Sequence, residues 1–167
     1  MDSLPVYYGN PVSEHAENNL NLTCIGHMLA ISPYKQLNTL STYHYLDLMG
    51  EGCVFGLPEG EQDVRASHQS SEKYVRTRNK FDEGATFAKL ASLVSKGASV
   101  RTTLLSEEFT YEDYLKLHGN RLNLLFAIRP DGKVVPLGRD ENLKPVVSWE
   151  IISIIQPEPA PDSGSGA

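Results

Sequence analysis

The chain has 167 residues, 40% of them hydrophobic and 22% charged, with a formal net charge of −6 at pH 7. This length suits one domain, and the composition is that of a globular chain rather than a disordered or collagenous one. The acidic balance excludes a dedicated duplex-DNA binder, which neutralises phosphates with clustered Lys and Arg, and no apolar run approaches the roughly 20 residues of a membrane-spanning helix.

Residues 1–60 carry many aromatic and β-branched side chains without a sustained helical period, and read as a β-rich half. Strands are expected at residues 4–8, at 20–31 with a bend at Gly26, and at 40–48, where Thr42, His44, Leu46 and Leu48 alternate with Tyr43, Tyr45 and Asp47. The glycines between 50 and 56 mark a tight turn. The opening residues lack a basic segment followed by an apolar one, so a cytoplasmic location is expected.

Residues 61–81 form a polar stretch, read as a loop or a frayed helix. Arg65, Lys73, Arg76, Arg78 and Lys80 outnumber Asp63 and Glu72 there, which makes it a basic island in an acidic chain. A solvated loop is one reading. The other is an anion contact through Arg76 and Arg78, because the planar guanidinium fork matches phosphate geometry.

From 82 to 156 the pattern predicts one main amphipathic helix followed by strands. Phe87, Leu90, Ala91 and Val94 recur at helical spacing over 82–97, Asp82 or Thr86 can cap the start, and Gly97 can take the left-handed stop conformation. Thr110 and Asp113 resemble a capping pair, which favours a short helix that gives way to a strand near 114–117. A period-two strand is expected from Leu122 to Ile128, with Leu122, Leu124, Phe126 and Ile128 on one face. A turn at Pro130, Asp131 and Gly132 then leads into a hairpin partner over 133–137. The apolar closing strand through Trp149 and Ile151 belongs inside the sheet or at a subunit interface, since an open edge of that kind pairs with other chains. The result is an α+β fold: one helix on a mostly antiparallel sheet, in a single compact domain over 1–156. The Pro-, Gly- and Ser-rich tail at 157–167 is expected to be disordered.

Candidate chemistry is sparse. Cys24, His27, His44 and Cys53 have the residue types for zinc, but the second pair is not closely spaced and Cys24 and His27 would point to opposite faces of a strand. No metal or cofactor is expected. A Cys24 nucleophile with His27 or His44 as base remains an alternative, without any hydrolase, metalloprotease or phosphate-loop motif to mark it. Eight tyrosines supply core and interface groups, and some could stack on a nucleotide base.

Phe87, Lys96-Gly97, Val100-Arg101, Tyr114 to Leu117, Asp131-Gly132 and Trp149-Glu150-Ile151 follow an ordered pattern. Through these, residues 85–155 resemble the small phage-encoded domain family of the second Thoeris anti-defence type. Two positions depart from that family: Thr102 to Leu105 stand where it carries a tryptophan, and Ser148-Trp149 replaces its Asp-Trp. The resemblance implies an oligomeric, non-enzymatic protein that sequesters a signalling nucleotide and inhibits host defence. It points to Arg101 and Trp149 as ligand contacts beside Arg76 and Arg78. A protein-interaction or virion accessory module that binds a host protein is the alternative to the sponge.

Overall fold

In the computed structural model, which describes residues 6–19, 25–58, 72–78, 80–138 and 143–158, the chain divides into two units, Met1–Asn79 and Lys80–Ala167. The α+β class expected from the sequence is observed.

The first unit holds α1 (Glu14–Asn19), β1 (Met28–Ala30), α2 (Lys35–Met49), β2 (Val54–Gly56) and α3 (Glu72–Arg78). Strands β1 and β2 pair in parallel, Met28 opposite Val54 and Ala30 opposite Gly56. Parallel neighbours need a crossover, and α2 supplies it. The expected strand at 40–48 is therefore corrected to helix. Its buried residues are Ser41, Thr42, Tyr45 and Leu46, two pairs four residues apart. Threonine and tyrosine favour strands by local preference, and tertiary burial of this face overrides that preference.

The extended reading of 20–31 shrinks to the three residues of β1, with 20–24 outside the described residues, and residues 6–8 form no strand. Among the described residues this half is thus less β-rich than its composition suggests, with α2 as the longest element. Tyr45, Leu46 and Val54 form one core cluster, joined by Met28 and Met49. The end of the basic stretch forms α3, whose Tyr74 is buried and stacks on Tyr43 with ring centres 5.0 Å apart.

The second unit contains α4 (Phe87–Ser95), β3 (Ser99–Leu104), α5 (Tyr111–His118), a 3-10 turn (Gly119–Arg121), β4 (Leu122–Ile128), β5 (Val134–Pro136) and β6 (Glu150–Ile155). The sheet order is β3-β6-β4-β5, antiparallel throughout, so the apolar closing strand lies inside the sheet as expected. Helix α4 is shorter than the predicted 82–97. Thr86 is its cap, accepting a hydrogen bond from the Lys89 N–H at 3.3 Å, whereas the Asp82 carboxylate accepts from the Gly84 N–H. Of its apolar stripe only Leu90 is buried; Phe87 is half-buried, Ala91 exposed and Val94 49% exposed.

The helix that organises this unit is α5. Its Thr110–Asp113 capping box is complete: Thr110 Oγ1 accepts from the Asp113 N–H, and the Asp113 carboxylate accepts from the Thr110 N–H. That reciprocal cap commits 111–118 to one helix, so the strand expected at 114–117 does not form. Tyr114 enters the core formed with Leu105, Ala127, Leu137 and Ile151. Its hydroxyl shares a hydrogen bond with Ser153 Oγ on β6, and both residues are fully buried.

Strand β4 departs from strict alternation. Leu124 pairs with Ser153 and Phe126 with Ile152, so Leu125 is an extra residue that bulges. Leu122, Leu124 and Ala127 therefore share the α5 face, while Phe126 turns to the other face and meets Phe81 edge-on at 5.2 Å. The predicted hairpin closes as read, with Gly132 at φ 81. Gly138, at φ 150, lets the chain pass the backbone of Phe81 and Asp82, where a Cβ would meet Asp82 N at 2.5 Å.

Removing one member of the Tyr114–Ser153 pair strands the other in the core. Tyr114→Phe and Ser153→Ala are each expected to cost about 1–3 kcal/mol. The double variant loses less than their sum, measured by urea unfolding midpoints; strictly additive losses would show that the two hydroxyls are not coupled.

Candidate functional site

The exposed end of α5, the start of β3 and the chain leaving β6 enclose a cleft of about 520 Å³. Clefts of about 300–1,000 Å³ are usual for small ligands. The local folding explains which side chains face it. On β3, Ser99, Arg101 and Thr103 lie opposite Ile155, Ser153 and Ile151, so all three share the face against which α5 packs. On α5, Tyr114, Leu117 and His118 lie three and four residues apart and line the same wall. Arg121 enters from the 3-10 turn, and Gln156, Pro157 and Glu158 close the remaining side.

The wall is aromatic and the rim is cationic. Phe109 meets Tyr114 edge-on at 6.2 Å, and Tyr114 meets the His118 ring at 4.9 Å. Burial, then the Arg121 guanidinium, then that of Arg101 hold His118 below its ordinary pKa of 6.5, so its imidazole is neutral at pH 7. Two arginines thus lie near enough to repel a third positive charge. Arg121 forms an ion pair with Glu158 at 3.4 Å, and Arg101 Nε donates to Ser99 Oγ at 3.4 Å. The remaining guanidinium N–H groups of Arg101 and the neutral imidazole offer hydrogen-bond donors to an anion.

The sequence singled out four contacts, and the structure places one of them here. Arg101 lines the cleft. Trp149 instead stands at the opposite end of β6, packed on the core with the Arg129 guanidinium over its ring at 5.8 Å. Arg76 belongs to the first unit, where it pairs with Glu72 at 3.2 Å and Glu51 at 3.9 Å, and Arg78 is the last residue of α3. Arg121, His118 and Phe109 were not anticipated. Turn arginines and a helix-terminal histidine carry no spacing signal, and only the fold brings them to Arg101.

Among the four zinc or thiol candidates, Cys24 lies outside the described residues. His27 stacks on Phe55 at 5.7 Å, His44 packs edge-on to Tyr45 at 5.1 Å, and Cys53 is a free, half-buried thiol. Among the described residues no three His, Cys, Asp or Glu side chains converge to hold a metal ion, and no helix is long and apolar enough to cross a membrane.

No protein-family model matches the chain, and no curated protein does. The chain is similar to the GsuK RCK domain crystal structure at a TM-score of 0.32 and 14% identity, over 93% of this chain and 35% of that one. The chain therefore spans well under two thirds of that protein, and a likeness at this level carries no argument about fold or function.

Relieving the repulsion around His118 should be visible directly. In an Arg121→Gln variant the His118 imidazole, followed by NMR, titrates closer to 6.5 than in the parent. Because the folded-state pKa is depressed, His118 weakens the fold as pH falls below about 6.5 and has no such effect above it, so Arg121→Gln also loses less stability on acidification. An unchanged titration would mean that the two groups do not share an environment.

Proposed function

We propose that the second unit is a non-enzymatic binding module for a small phosphate-bearing anion, and that a nucleotide is its ligand class. The observation that carries this is the convergence of Arg101, Arg121 and His118 on one cleft in a chain of net charge −6. Guanidinium groups recognise phosphate oxygens in bidentate fashion, while the Phe109 and Tyr114 wall and the apolar Leu117 and Ile155 suit a base or ribose. Tyr114 spends its hydroxyl on Ser153, and the neutral His118 acts as a donor to the ligand rather than as half of a nucleophile pair.

The resemblance of residues 85–155 to phage nucleotide-sponge domains supports the same conclusion. In that setting the ligand is a signalling nucleotide of the cyclic ADP-ribose type, held in the cytoplasm of an infected bacterium so that host defence is blunted. Arg101 and Arg121 grip the phosphates, and Trp149, at the other end of β6, lies outside the grip.

Calorimetry and thermal shift separate this from a structural module. ADP-ribose and cyclic ADP-ribose should raise the melting temperature, while adenosine, which lacks phosphate, should not. Arg101→Ala and Arg121→Ala should each weaken binding by about 10-fold or more, the scale of one charge-assisted hydrogen bond. Bound anion should also raise the His118 pKa, since a nearby negative charge favours the imidazolium. A flat response to every phosphate-bearing ligand would end the proposal.

A further inference from the structure

The three residues that follow β6 close one side of the cleft, and each of them is held. The Gln156 N–H donates to the Arg121 carbonyl at 3.0 Å. Pro157 passes beside Gly97, where a Cβ would meet its Cγ at 3.9 Å. The Glu158 carboxylate then reaches the Arg121 guanidinium at 3.4 Å. The strap thus runs from the main chain of Arg121 to the far end of the same residue's side chain.

This makes the two cleft arginines unequal. Arg101 is exposed, and among the described residues its guanidinium bonds only through Nε, to Ser99 Oγ. Arg121 is more sheltered, its side chain 29% exposed, and it already faces a carboxylate. An exposed ion pair is ordinarily weak because two long side chains must be ordered to make it. Here part of that ordering is in place beforehand. Gln156 is bonded to the very residue that Glu158 pairs with, and the one residue between them is a proline with its φ fixed by the ring. So short a link keeps the carboxylate at high local concentration around the guanidinium.

We propose that residues 156–158 are a latch on the ligand cleft, in which Glu158 screens Arg121 until a phosphate group takes that guanidinium. The strap then comes free at Glu158 and stays hinged at Gln156. The latch regulates the binding site proposed above and rests on that reading. The same carboxylate must leave for any anion that uses Arg121, so the latch lowers the affinity of all such ligands by one common factor. Linkage makes the coupling mutual: a bound anion frees the strap by the factor with which the strap weakens the anion. That factor is about two- to fivefold, the scale of an exposed ion pair.

Calorimetry at low salt with ADP-ribose and with inorganic pyrophosphate tests the latch. Glu158→Gln should tighten both by about two- to fivefold, and by the same factor. Glu107→Gln removes one negative charge from an exposed position outside the cleft and should leave both affinities at the parent values. In an Arg121→Ala background Glu158→Gln should have no effect, because the group it screens is gone. In the parent, ADP-ribose should move the Glu158 amide resonance toward the position it has in ligand-free Arg121→Ala protein. A Glu158→Gln protein that binds no more tightly than Glu107→Gln overturns the latch. So does a gain that persists in the Arg121→Ala background, or a Glu158 amide that the ligand leaves in place. Each of these results stands on a parent that binds, and so removes the latch alone, whereas parent and Glu158→Gln proteins that both ignore every phosphate-bearing ligand remove the binding reading and the latch with it.

Discussion

One buried hydrogen bond sets the geometry of the second unit. Tyr114 and Ser153 have no access to water, so each hydroxyl must find its partner in the protein, and each finds the other. The bond joins the middle of α5 to β6, one of the two inner strands of the sheet, and so fixes both the position and the rotation of the helix on it. With Tyr114 turned inward, Leu117 and His118 fall beside β3 and the cleft acquires its wall. The reciprocal cap at Thr110 and Asp113 holds the first turn in place, and the Asp113 carboxyl is kept below its ordinary range chiefly by the Thr110 hydroxyl, then by the Thr110 backbone N–H.

The sheet meets a second requirement through Leu125. A regular strand from Leu122 to Ile128 would carry Leu122, Leu124 and Phe126 to one side, which leaves Phe81 opposite Asn123, Leu125 and Ala127 with no ring to meet. The extra residue changes phase once, so the first part of β4 feeds the α5 core and Phe126 serves the opposite face. Edge-to-face contact between Phe81 and Phe126, together with the close passage of Gly138 by residues 81 and 82, anchors the chain where this unit begins.

What was legible in the sequence was local. The Thr110–Asp113 cap, the hairpin turn at Gly132, the Thr86 cap and the interior place of the closing strand each rest on contacts within a few residues or on one strand's composition. What was hidden depended on distant partners. Helix α2 exists because β1 and β2 pair in parallel and need a crossover, which the threonines and tyrosines of 40–48 do not announce. The stripe on α4 has a regular period, yet only Leu90 finds cover. Arg101 was marked only by the family resemblance, its companions Arg121 and His118 are brought to it by the turn after α5, and Trp149 is carried away by the direction of β6.

The ion pair between Arg121 and Glu158 gives the cleft an internal competitor. Glu158 is 84% exposed on the strap that follows β6, and its carboxylate rests on a cleft guanidinium. An anion that takes Arg121 enters by exchange rather than by filling a vacant positive hole. The displaced carboxylate returns to water at small cost because it never left it. On the binding reading proposed above, affinity at this position is a difference between two anions, one of them tethered.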